Sequence, residues 1–183
     1  MNIVLLGGPG AGKGTLANYL ASELGFNVLT TGAMYRKEAE DRTDFGLKAK
    51  EYWGNGNLCP NEMTNELMRR SVNRFENKDN FVFDGYPRNV NQAEYLDSIS
   101  HVDLVIDISV DEDVAVKRLL KRATIENRPD DTEDIIRNRF KVYHNNNVEL
   151  VGYYSSKPYY HVVNGEGTPE DTNKIVDGIL KGL

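Results

Sequence analysis

The run Gly7-Gly8-Pro9-Gly10-Ala11-Gly12-Lys13-Gly14-Thr15 constrains the fold more than any other stretch of the chain. It follows the apolar run Ile3-Val4-Leu5-Leu6 and precedes a helical pattern carrying Leu16, Tyr19, Leu20 and Leu24. Strands that are apolar without interruption are those covered on both faces of a parallel sheet. Glycines between such a strand and a helix let backbone N–H groups turn inward around an anion. The helix N-terminus adds partial positive charge, and Lys13 can reach the terminal phosphates of a nucleotide. A glycine-rich turn alone says little; strand, glycines, lysine and helix in this order point to a phosphate-binding loop.

Four further short runs have the character of buried strands: Val28-Leu29-Thr30, Phe81-Val82-Phe83, Leu104-Val105-Ile106-Asp107-Ile108 and His161-Val162-Val163. Helical patterns lie between them, among them Thr15 to Leu24 and a second after Asp111. The latter has Glu112 and Asp113 in its first turn, where the helix dipole favours anions. The alternation predicts an α/β fold, a P-loop five-stranded parallel sheet flanked by helices, with ligands at the carboxyl ends of the strands. The length of 183 residues suits a single domain, 1–183. Two polar segments interrupt the pattern. Residues 31–75 form a helix-like insertion broken at Gly54-Asn55-Gly56, and residues 123–133 read as a polar loop after an arginine-rich helix end. Both are candidates for lobes over a site.

With 22 Lys and Arg against 28 Asp and Glu, the net charge of −6 has the wrong sign for a surface that holds nucleic acid, so any phosphate site must be local. The single cysteine, Cys59, cannot close an intramolecular disulfide, which suits a reducing compartment. The apolar run at the N-terminus is too short for a signal-peptide core or a membrane span. A cytoplasmic monomer without nucleic-acid or membrane partners is the expectation.

The residue after Lys13 is Gly14, with a hydroxyl only at Thr15, whereas the general phosphate loop places a hydroxyl directly after its lysine. GxPGxGKGT resembles the loop of the adenylate kinase family of nucleoside monophosphate kinases, and the resemblance runs nearly end to end. Thr30-Thr31-Gly32-Ala33-Met34-Tyr35-Arg36 is similar to the family's STGDxxR segment, Gly56-Asn57-Leu58-Cys59-Pro60 to its GxLVP turn, and Asp84-Gly85-Tyr86-Pro87-Arg88 through Gln92-Ala93 to DGFPRxxxQA. Arg118-Leu119-Leu120-Lys121-Arg122, Asn127-Arg128-Pro129-Asp130-Asp131 and Arg139 resemble the lid segments, and Asn164-Gly165-Glu166-Gly167 the last turn, whose backbone lies along the ATP adenine. Only Ala123 to Asn127 separate Arg122 from Arg128, as in the short-lid type.

The resemblance implies transfer of the γ-phosphoryl group of MgATP to AMP, giving two ADP. It implies ATP contacts from Gly10, Ala11, Gly12, Lys13, Gly14, Thr15, Arg118, Arg122 and Gly167, with Thr15 on phosphate rather than metal. AMP contacts are implied for Thr31, Arg36, Asn57, Leu58, Cys59, Gly85, Arg88, Gln92, Arg128 and Arg139, with Gln92 reading the adenine. Lys13, Arg88, Arg122, Arg128 and Arg139 form the implied catalytic set, and Asp84 holds Mg2+ through water. Residues 30–59 would be an NMP-binding lobe and 122–133 a short lid.

Physical chemistry asks for the same residue types. Phosphoryl transfer needs charge neutralised while water is excluded, and arginine offers a permanent charge with a fork that fits phosphate oxygens. His101, His144 and His161 are far apart, and no four-ligand cysteine and histidine set exists, so no structural zinc is expected. Trp53 and the tyrosines at 153, 154, 159 and 160 read as packing. Ala33 stands where the family usually has an aspartate. Two alternatives remain: a kinase for UMP, CMP or another monophosphate, against which Gln92 and Thr31 speak, and a catalytically weakened nucleotide-binding regulator, to which Ala33 points and the arginine motifs object.

Overall fold

The structure is a computed structural model in which residues 1–126 and 132–183 are described. Within them the strands are β1 (Ile3–Gly7), β2 (Asn27–Thr30), β3 (Phe81–Asp84), β4 (Leu104–Ser109) and β5 (Tyr160–Asn164). The helices are α1 (Lys13–Leu24), α2 (Thr31–Glu40), α3 (Asp44–Trp53), α4 (Asn61–Val72), α5 (Val90–Ile99), α6 (Glu112–Glu126), α7 (Glu133–Ser155) and α8 (Pro169–Lys181). All five strands pair in parallel in the order β2-β3-β1-β4-β5.

The central place of β1 explains its uninterrupted apolar sequence. Val4 and Leu6 join Phe81, Phe83 and Val105 on one face, covered by Met68 and Val72 of α4, Leu96 of α5, and Leu150 and Tyr154 of α7. Ile3 and Leu5 join Val82, Leu104 and Ile106 on the other, covered by Leu16 and Leu20 of α1 and Val176 of α8. Each such side chain, fully buried, contributes about 1.5–3 kcal/mol. Register brings the carboxyl ends of β1, β3 and β4 side by side, with Leu5 beside Asp84 and Gly7 beside Ile108. The segments after those three strands therefore share one edge of the sheet.

The polar insertion holds three helices, α2, α3 and α4, and the Gly54 to Gly56 break is the turn after α3. Tyr35, Ala49, Cys59 and Leu67 give it a cluster separate from the two sheet faces. α2 and α3 cross so closely that a Cβ on Gly46 would overlap the Glu38 carbonyl group. Gly46→Ala should therefore force the helices apart at about 1–3 kcal/mol, lowering Tm by several degrees in a thermal melt; an unchanged Tm would show that the crossing gives way freely.

The loop expected over residues 123–133 needs correction, because α6 continues through residues 123–126. Polarity there marks an exposed helix rather than a loop: the Thr124 hydroxyl donates to the Leu120 carbonyl (3.3 Å), satisfying itself within the helix. Thr132 then caps α7 by accepting from the Ile135 N–H. Residues 127–131, Arg128 among them, lie outside the described residues. α6 and α7 meet through Ala115, Leu119, Ile136 and Phe140, again a cluster of their own.

Candidate active site

Between β1 and α1 the backbone has positive φ at Gly10 and Gly12, 75° and 100°. A Cβ on Gly10 would lie 2.6 Å from the Ala115 carbonyl oxygen, so the loop passes α6 only with glycine there. Gly12 is the N-cap of α1; it offers no side-chain cap, and the first turn carries no acid. By contrast α3, α5, α7 and α8 are capped by Thr43, Asn89, Thr132 and Thr168. The first N–H groups of α1 thus have neither a capping side chain nor an acid beside them, which suits an anion.

Lys13 is nearly buried, and its Nζ donates to the carbonyl oxygens of Gly7 (2.7 Å) and Gly8 (2.8 Å). Burial and the Arg88 guanidinium lower its pKa to about 8, against the pull of the Asp84 and Asp107 carboxylates; Arg122 lowers it further. The ammonium is thus held where an incoming anion would stabilise it most.

Beside this loop, the turn after β3 gathers two side chains on one backbone atom. The Gly85 carbonyl oxygen accepts from Thr31 Oγ1 and from Arg88 Nε, both at 2.9 Å. Asp84 is buried and accepts from Thr30 Oγ1 at 3.4 Å. Burial lowers the pKa of the Arg88 guanidinium; Asp84 opposes that shift and Arg139 adds to it. Two arginines close enough to oppose each other's charge are the arrangement a phosphate stabilises. Gln92, at the start of α5, is fixed by the Arg88 backbone N–H and by Asn61.

One cavity of about 750 Å³ joins the two ends. Gly10, Ala11, Gly12, Lys13, Gly14 and Thr15 line one part; Thr31, Arg36, Asn57, Leu58, Cys59, Gly85, Arg88 and Gln92 line another. Asp84, Arg118, Arg122, Arg139 and Gly167 line it as well. Of the residues expected to contact ATP, AMP or magnesium, Arg128 alone falls outside the described residues. Arg118 donates to the carbonyl oxygens of Gly165 (2.8 Å), Glu166 (3.1 Å) and Gly167 (3.4 Å), so its fork clamps the last turn against α6.

Three side chains here escaped the sequence reading. Tyr143 lines the cavity one helical turn after Arg139, and its ring lies 3.4 Å from where a Cβ on Gly8 would be. Its phenol is pushed up to about 12 by burial and by Asp107, against Arg88. The i, i+4 spacing from Arg139 was the available signal. Trp53 packs against the insertion's cluster, as its sequence reading has it, but it also lines the same cavity with a buried indole N–H that has no partner among the described residues. Asn61, which holds Gln92, had no local signal.

The family model for adenylate kinase matches residues 5–159. The chain belongs to the adenylate kinase family. An adenylate kinase from Thermobifida fusca is 37% identical over 99% of this chain and 98% of its own length. One from Kocuria rhizophila is 39% identical over 98% of both chains, and one from Flavobacterium johnsoniae 36% identical over the whole of both. Among the described residues, no helix is long and apolar enough to cross a membrane.

Proposed function

We propose that the protein is an adenylate kinase that passes the γ-phosphoryl group of MgATP to AMP and, in reverse, from one ADP to another. The observation that carries this reading is a continuous cavity with the uncapped start of α1 at one side and Arg88 with Gln92 at the other. The α1 N-terminus and Lys13 hold the donor phosphates, with Arg118 and Gly167 along the ATP adenine. Thr31, Arg36, Arg88 and Gln92 hold AMP, with the Asn57 to Cys59 turn against its base. An AMP phosphate oxygen attacks the γ-phosphorus in line; a P–O bond forms on AMP, the bond to the β-phosphate oxygen breaks, and ADP leaves. Lys13, Arg88, Arg122, Arg128 and Arg139 neutralise the moving charge, so no covalent enzyme intermediate is needed.

Asp84 suits Mg2+ held through water. It sits buried at the end of β3, with its Oδ2 3.8 Å from where a Cβ on Gly14 would be. Mg2+ takes one or two carboxylates and keeps waters and phosphate oxygens as its other ligands. When bound, the ion would neutralise the donor phosphates. Ala33, on the cavity wall, cannot accept a hydrogen bond from that water shell. Ala33→Asp should therefore lower the magnesium concentration for half-maximal rate, and Asp84→Ala should nearly abolish activity. A magnesium titration unaffected by Ala33→Asp, together with an active Asp84→Ala, would remove both residues from this role.

Residues 30–59 act as the NMP-binding lobe and 122–133 as the short lid; Tyr35, Ala49 and Cys59 of the lobe sit in an apolar cluster separate from the sheet's own. Asn138 at the start of α7 reaches the insertion turn, donating to Asn55 O (2.8 Å) and Asn57 Oδ1 (2.9 Å). A cytoplasmic, monomeric enzyme acting on free nucleotides completes the reading. A coupled assay with AMP, UMP, CMP, GMP and dAMP as acceptors tests it: AMP should give the highest kcat/KM. Faster transfer to UMP or CMP would move the chain to the alternative acceptor class, and no transfer to any acceptor would leave a nucleotide-binding regulator.

A further inference from the structure

Gln92 is 1% exposed, yet it reaches the cavity wall, and its amide is held at both ends. The Arg88 backbone N–H donates to Gln92 Oε1 (2.8 Å), and Gln92 Nε2 donates to Asn61 Oδ1 (3.0 Å). A backbone N–H can only donate, so the amide oxygen belongs on the Arg88 side and the nitrogen on the Asn61 side. Asn61 Oδ1 also accepts from Asn89 Nδ2 (2.9 Å), while Asn89 Oδ1 accepts from the Gln92 backbone N–H (3.0 Å). Reversing any one of the three side-chain amides would set donor against donor. One turn further along α4, Asn65 Oδ1 accepts from the Tyr86 hydroxyl (2.7 Å), docking the same helix face onto the turn before α5.

We infer that Asn61 is a specificity-positioning residue, fixing the order in which Gln92 presents its remaining N–H and its remaining carbonyl lone pair to the acceptor base. The inference rests on the adenylate kinase reading, in which that base lies against Gln92. Adenine carries an amino donor at C6 beside a ring acceptor at N1. Hypoxanthine has nearly the same shape with the two roles exchanged, a carbonyl acceptor beside an N–H donor. A glutamine free to rotate about its last bond serves either pattern. One held at both ends serves a single pattern and opposes like groups for the other, the kind of mismatch that gives strong rejection. Asn61 thereby selects 6-amino over 6-oxo purine monophosphates without touching the nucleotide.

The test compares AMP and IMP as acceptors for the wild type, Asn61→Leu and Asn61→Asp, with Tm measured for each. Asn61→Leu keeps the branching at Cγ and removes the acceptor. Because the Arg88 N–H still holds the other end, the AMP-to-IMP ratio of kcat/KM should fall about three- to tenfold, the worth of one neutral hydrogen bond. The fall should lie mainly in a higher KM for AMP, with KM for ATP unchanged. Asn61→Asp keeps an acceptor for both donors and should keep the ratio. If Asn61→Leu does not melt cooperatively, Asn61→Ala supplies the same comparison. An unchanged ratio in the folded apolar variant, or an equal fall in Asn61→Asp, overturns the inference. A wild type that prefers IMP to AMP overturns instead the adenylate kinase reading beneath it.

Discussion

Lys13→Met should slow phosphoryl transfer by a factor of about 10³ or more, as for other cations that act on the transferring phosphoryl group, while leaving Tm unchanged or higher. A methionine fills the space but cannot follow charge as it moves between the nucleotides. The stability half of this expectation comes from Lys13's buried position. Its pKa is about 8 in the folded chain and 10.5 as the ordinary value. Below pH 8 both folded and unfolded chains hold the proton, and burying the ammonium costs stability in full. Between pH 8 and 10.5 the folded chain releases its proton while the unfolded chain keeps it, so that cost is progressively lifted as pH rises. The Tm advantage of Lys13→Met should thus be largest at and below neutral pH and shrink above pH 8. The lost hydrogen bonds to Gly7 and Gly8 offset part of it. Because phosphate favours the ammonium form, ATP affinity of the wild type should weaken as pH climbs past 8, and the variant should lose that limb. Near-normal turnover by a folded Lys13→Met would take Lys13 out of the transfer step.

Arg88→Ala should impair the acceptor side far more than the donor side. Arg88 donates from Nε to Gly85 O and lines the cavity with Gln92, Arg36 and Arg139. Losing a charge-assisted fork leaves AMP phosphate oxygens poorly paired, at about 1.5–3 kcal/mol in binding. That is a loss of AMP affinity of about 10- to 100-fold, with a further loss in kcat. Titrations of ATP alone and AMP alone should therefore diverge; equal weakening of both would contradict the division of the cavity into donor and acceptor sides.

The strands were legible because β1, β3 and β4 are covered on both faces, leaving unbroken apolar runs that need no periodicity to recognise. β5 was legible for a weaker reason. It is an edge strand, and Val162 in its middle is 62% exposed, so its apolar run overstated its burial. The helical content of residues 123–126 was hidden by the equation of polarity with loop. In α6 Thr124 and Ile125 are exposed, and Ile125, 70% exposed, bounds the cavity rather than a core. The phosphate loop and the arginine motifs were readable since each is local in the chain. The Asn61 ring was not: its partners at 89 and 92 lie about thirty residues away, and only the docking of α4 on the start of α5 brings them together. Tyr143 sits between these cases, one turn from Arg139 on a helix whose apolar positions are interrupted by Asn145, Asn146 and Asn147.

The central claim is direct transfer between two nucleotides held in one cavity, and following the label from γ-labelled ATP tests it most directly. With AMP and Mg2+ present, the label should appear in the β-phosphate of ADP, with one AMP consumed and two ADP formed for each ATP and negligible inorganic phosphate. Label released as inorganic phosphate whether or not AMP is present, or label retained covalently on the protein, would contradict it.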